Sequence, residues 1–156
     1  MILKLKACLM LKVWTDNQQA GLLDRNRGGM GLGASFAYLP DADDARAVSL
    51  TMPKRLQSYE QDYGLHPIFE MNLPEGALRE RLRLTFAKAA GRFDDLDLLS
   101  IVGRSQMGRI RYTAREAHLD DDVPFQSVDE ILESRRAGSL MNHLLQRFAS
   151  YSGISG

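Results

Sequence analysis

The stretch LMLKVWTDNQQAGLLD, residues 9–24, decides how the fold begins. Leu9, Leu11 and Val13 alternate with Met10, Lys12 and Trp14, the two-residue period of a half-buried strand, and the β-favouring run reaches back to Lys4. TDNQQ at 15–19 is a turn signal, and AGLLD at 20–24 supplies a second short strand. ASFAYLP at 34–40 reads as a third strand closed by Pro40, and AVSLTMP at 47–53 as a fourth closed by Pro53. The first third of the chain is therefore expected to form short strands joined by turns, an antiparallel sheet or small barrel.

The 156 residues, 44% of them hydrophobic, suffice for one core with an appendage. Lys plus Arg and Asp plus Glu both number 20, so no net field favours a polyanion, and direct nucleic-acid binding has no support. Apolar runs fall short of the roughly 20 residues of a membrane span. The N-terminus MILKLKACLMLKVW is broken by lysines at 4, 6 and 12, unlike a signal peptide, and Cys8 is the single cysteine. Both features predict a reduced, cytoplasmic protein without a disulfide.

Beyond residue 60 the pattern changes. HPIFEMNLPEGALRERLRLTFAKAAG starts with a short apolar segment and breaks at Pro74. It continues as a helix with Leu78, Leu82 and Phe86 on one face until Gly91. Pro74 suits the first turn of that helix, and Glu75 is spaced to pair with Arg79. With Arg81 and Arg83, Arg79 reads as a solvated face. DDLDLLSIVG at 94–103 is a second helix ending at Gly103. MGRIRYT at 107–113 returns to a strand with Ile110 and Tyr112 on one side, while Arg109 and Arg111 on the other either solvate that face or meet an acidic partner.

AREAHLDDDVPFQ at 114–126 is acidic, contains a proline and reads as a mobile linker. Ser127 with Glu130 forms a capping-box signature for a helix ending at Gly138. In SLMNHLLQRFA at 139–149, Leu140, Leu144, Leu145 and Phe148 share an apolar face suited to self-association or to a partner. The expected architecture is α+β. Residues 1–113 form a β-rich domain with two packed helices, 114–126 a linker, and 127–156 helices running into a terminal loop.

GGMGLG at 28–33 invites comparison with a phosphate loop, but it follows DRNR and runs into a strand, whereas the dinucleotide fingerprint lies between a strand and a helix. A hairpin loop is the simpler reading. His66, His118 and His143 are scattered, and only His118, in HLDDD, has carboxylates nearby, so no metal site is expected. No nucleophile–base arrangement stands out, and the residues alone support a soluble α+β interaction domain.

FEMNLPEGALRERL, Phe69 to Leu82, resembles the N-terminal subdomain of the HipA family, the kinase toxins of bacterial toxin–antitoxin systems. Asn72, Leu73, Pro74, Glu75 and Gly76 fit that family's turn-and-helix signature. VWTDNQQAGLL resembles its opening hairpin and AVSLTMP its following strand. FDDLDLLSIVGRSQMGRIRY, with Gly103, Arg104 and Gly108, resembles its helix, glycine turn and strand. The resemblance implies that the later helices lead to a glycine-rich kinase loop. SGISG, with Gly153 and Gly156, looks like the start of that loop, and Ser152 and Ser155 resemble serines the family autophosphorylates.

Two readings follow from the resemblance. In the first, the chain is the interaction and regulatory N-terminal region of a HipA-like serine/threonine kinase, itself without catalytic residues. ATP and magnesium are then expected only on the complete kinase, and the partners are the kinase portion, in cis or in trans, and a HipB-like DNA-binding antitoxin. In the alternative, the chain is a free-standing antitoxin-like protein that silences a separately encoded kinase. Such a protein is expected to end near residue 113, so the longer chain favours the first.

Overall fold

Asp16 and Asn17 carry positive φ values, 49° and 66°, and turn β1 (Leu11–Thr15) back into β2 (Gln18–Arg25). Consecutive left-handed residues give the tight two-residue hairpin whose twist matches that of its strands, and Asp and Asn tolerate it best among residues with a side chain. This computed structural model describes residues 10–26, 32–90, 93–106 and 108–119.

Beside β1 and β2 lie β3 (Leu32–Tyr38), β4 (Tyr59–Gln61) and β6 (Ile110–Ala114), in the antiparallel order β4-β3-β2-β1-β6; the two-residue β5 (Tyr63–Gly64) runs parallel to the start of β3. Cross-strand register puts Leu11, Leu23 and Phe36 in one row and Tyr112, Val13, Gly21 and Tyr38 in the next. Partners directly opposite share a face, so these rows form the core side of the sheet, and every member is buried. The strand alternation expected around Val13 and around Tyr112 is thus present. β2 and β3 are antiparallel neighbours; Leu32 and Gly33, the last two residues of GGMGLG, begin β3, and residues 28–31 lie outside the described residues.

AVSLTMP does not form the expected strand. Its alternation of Val48, Leu50 and Met52 is undone by local bonds: the Thr51 amide donates to Ser49 Oγ (3.2 Å) and the Met52 amide to the Ser49 carbonyl (3.1 Å). Serine and threonine offer the backbone such alternatives to a ladder. Val48 and Met52 turn into the core and Leu50 is left fully outside.

The described helices are α1 (Pro67–Glu70), α2 (Gly76–Ala90) and α3 (Asp95–Val102). Pro74 lies two residues before α2 rather than in its first turn. The chain first closes a turn in which the Asn72 and Leu73 amides donate to the Phe69 and Glu70 carbonyls, and the residue before a proline is disfavoured in helix. Gly76, at φ 59°, then redirects the chain into the helix. Leu82 is buried at 1% exposure while Leu78 is 41% exposed, so the inward face passes through Leu82 but not Leu78; the Phe86 side chain lies outside the described residues.

Arg79 turns inward as well. Instead of pairing with Glu75, it reaches Asp95 at the start of α3 (2.8 Å) and Glu70 (3.5 Å). Arg79→Ala should therefore lower the unfolding free energy by about 1 kcal/mol, since Asp95 keeps its charge in a largely buried place. Arg81→Ala and Arg83→Ala, at exposed positions, should stay within about 0.5 kcal/mol of the parent. Urea unfolding of the three variants checks this.

The chain divides after Leu119. Residues 115–119 are tied to the sheet: Lys12 Nζ and Thr113 Oγ1 both donate to the Ala117 carbonyl, and Arg104 donates to that of His118. The helices expected over 127–149, the apolar face of Leu140, Leu144, Leu145 and Phe148, and the terminal Ser152, Gly153, Ser155 and Gly156 lie outside the described residues. Among the described residues no helix is long and apolar enough to cross a membrane.

Candidate interaction site

The two halves of the sequence motif meet across the core. Asn72 Nδ2, in the turn before α2, donates to Tyr112 Oη on β6 (3.0 Å) and to the Ile68 carbonyl (2.8 Å). Gln106 Nε2 donates to the Asn72 carbonyl (2.8 Å). Tyr112 is fully buried, its ring edge-on to Phe69 at 6.1 Å, and burial pushes its phenol far up, so it stays protonated. Gly103 closes the arrangement: a Cβ there would sit 2.7 Å from the Tyr112 Cβ and Cδ2. Leu73 is buried beside Asn72, while Pro74 is half-buried and Glu75, Gly76 and Gly108 are exposed. Asn72, Gly103 and Tyr112 thus belong to one packing unit.

Arginines latch the elements together. Arg25 at the end of β2 donates through Nε and Nη2 to Asp94 (3.1 and 3.0 Å) and pairs with Asp97 at 2.8 Å. Asp94 also caps α3 by accepting from the Leu96 and Asp97 amides, and the Asp97 carboxylate accepts from the Asp94 amide, a reciprocal capping box. Arg109 holds Asp16 at 2.8 Å and donates to the carbonyls of Ala45 and Ala47, so it is engaged within the fold rather than offered to an acidic partner.

Burial alone would push the Asp94 carboxyl up, but the Arg25 guanidinium bonded to it prevails and holds it below the ordinary aspartate value. A depressed native value means that the stabilisation is complete above the unfolded aspartate value, about 3.9, and is lost as pH falls through the lower native value. Arg25→Met should therefore cost about 1–2 kcal/mol at neutral pH, with the gap to the parent narrowing as pH falls below about 4. Denaturant titrations at pH 7 and pH 3 measure both.

The connection between β3 and β4 had no site assigned to it from the sequence. Leu50 is 100% and Leu56 88% exposed. Between them, Lys54 Nζ donates to the Ala42 carbonyl, and Arg55 stacks 3.6 Å over the Tyr59 ring while donating to the Gln57 and Ser58 carbonyls (3.2 and 2.9 Å). Two exposed leucines flanking two cations are legible in LTMPKRL; their exposure is not, because Leu50 belongs to an alternation that mimics a strand.

Other sequence candidates are placed as follows. Gly33 of the glycine run approaches backbone, since a Cβ there would fall 1.8 Å from the Gln61 carbonyl oxygen. The space beside Gly33 is thus filled by the Gln61–Asp62 backbone, and residues 28–31 of the run lie outside the described residues. Among the described residues no group of three or more His, Cys, Asp or Glu side chains gathers at one point.

Comparison with known proteins agrees with this arrangement. The HipA N-terminal domain family matches residues 11–113, from the first residue of β1 to the residue before the end of β6. No curated protein matches the chain. The match takes in the hairpin, the Asn72 turn, the Gly103 turn and Tyr112, and covers well over half of the sequence: the chain belongs to the HipA N-terminal domain family.

Proposed function

We propose that this chain is the N-terminal interaction and regulatory region of a HipA-like serine/threonine kinase toxin of a bacterial toxin–antitoxin system, acting by binding in the cytoplasm. The family match over 11–113 carries the reading. It is supported by the Asn72–Gly103–Tyr112 unit, whose conspicuous residues are engaged in packing, so that recognition falls to the surface. The kinase portion is the partner, in cis or in trans, and a HipB-like antitoxin binds the assembled toxin. ATP and magnesium belong to the complete kinase, where they supply the transferred phosphoryl group and neutralise its charge.

Incubation of the purified chain with labelled ATP and magnesium should give no incorporation. Label that enters the chain and is abolished by Ser152→Ala with Ser155→Ala would overturn the reading. Adding the chain to the kinase portion decides its role: association without loss of kinase activity is expected, and silencing would favour the free-standing antitoxin.

A further inference from the structure

Ala42 and Val48, in the chain between β3 and β4, are buried, but the residues between them, a 3-10 turn (Asp44–Arg46) with its flanks Asp43 and Ala47, bury no side chain. Main chain attaches them to the sheet instead. The Arg109 guanidinium donates to the carbonyls of Ala45 and Ala47, and the Thr15 hydroxyl donates to the Arg46 carbonyl between them (3.3 Å). The two ends are secured separately, the Ala42 amide on the Leu39 carbonyl (3.1 Å) and the Val48 amide on the Tyr38 hydroxyl (2.9 Å).

A segment with no buried side chain and few bonds to the rest of the fold opens at a lower free energy than the core. Here most of those bonds converge on one side chain. Arg109 is 44% exposed and is aimed by Asp16, whose 66% exposed carboxylate meets it at 2.8 Å, so the pair is open to solvent and to screening by salt. Thr15 is fully buried, and release of the Arg46 carbonyl would free its hydroxyl.

We propose that residues 43–47 are a strap clasped by Arg109: it opens and closes over Thr15 while the sheet stays folded, and the Arg109–Asp16 pair sets the balance between the two forms.

Amide hydrogen exchange of the full chain, read residue by residue, tests it. The Arg46 and Ala47 amides donate within the strap, to the Asp43 and Asp44 carbonyls (2.9 and 3.1 Å), and a turn this short does not persist alone. Arg109→Gln should speed their exchange by about tenfold or more, while the Val48 and Leu39 amides, which donate to the Tyr38 hydroxyl and the Ala20 carbonyl, keep the parent rate. Asp16→Asn, tolerated at the left-handed turn position, should act on the same two amides to a smaller extent. Arg111→Gln, farther along β6, should change none of them. Arg46 and Ala47 amides that are unaltered by Arg109→Gln, or that exchange at the free-peptide rate in the parent, would refute the clasp. Equal acceleration of all four amides would refute it too, since the sheet rather than a strap would then be opening. An Asp16→Asn chain indistinguishable from the parent would remove the ion pair from the device.

Discussion

Tyr112→Ala should lower the unfolding free energy by about 3–5 kcal/mol, the range for removing a large aromatic from a packed core. Tyr112 is fully buried, pairs with Val13 across β1, lies edge-on to Phe69 and fills the space left by Gly103. Its removal opens a cavity where β6, α1 and the turn after α3 converge. Tyr112→Phe keeps the ring and loses only the hydroxyl that accepts from Asn72, so its cost should be about 1 kcal/mol. Chemical denaturation of both variants gives the contrast; equal costs would mean that the ring is not the keystone.

Gly103→Val should cost about 1–3 kcal/mol, at the upper end of that range. At φ −69° the backbone accepts any residue, so the penalty is one of space rather than conformation. The contacts at 2.7 Å fall on the Tyr112 Cβ and ring, which are locked by the sheet on one side and by Phe69 on the other. Because the clash is with Tyr112, Gly103→Val and Tyr112→Ala should be markedly non-additive, the alanine relieving part of the valine's cost. Strict additivity in denaturation of the double variant would place the strain elsewhere.

Elements whose partners are near in sequence were legible. The alternation of Leu11 and Val13, the Asp16–Asn17 turn, the α3 helix ending at Gly103 and the Ile110–Tyr112 strand follow from local periodicity and turn chemistry. What failed depended on side-chain partners that the periodicity does not show. AVSLTMP has a strand's pattern, but Ser49 turns its backbone locally, and the Tyr38 hydroxyl, ten residues upstream of Val48, accepts from the Val48 amide and donates to the Met52 carbonyl. Glu75 is ideally spaced for Arg79 on an isolated helix, yet Asp95, sixteen residues on, offers a more buried carboxylate. The motif itself was visible by resemblance, while its cause, a bond spanning forty residues from Asn72 to Tyr112, has no local signature. The exposed Leu50 and Leu56 were missed for the same reason as the strand: exposure is set by which neighbours turn inward.

That the NLPEG turn and the GRSQMGRIRY strand act as one unit through Asn72 and Tyr112 is tested most directly by a double-mutant cycle of Asn72→Ala and Tyr112→Phe in urea unfolding. The arrangement predicts a coupling of about 1 kcal/mol, because either change alone removes the bond that the double variant loses only once. Free energies that add within about 0.3 kcal/mol would contradict it and leave the two halves of the motif as independent neighbours.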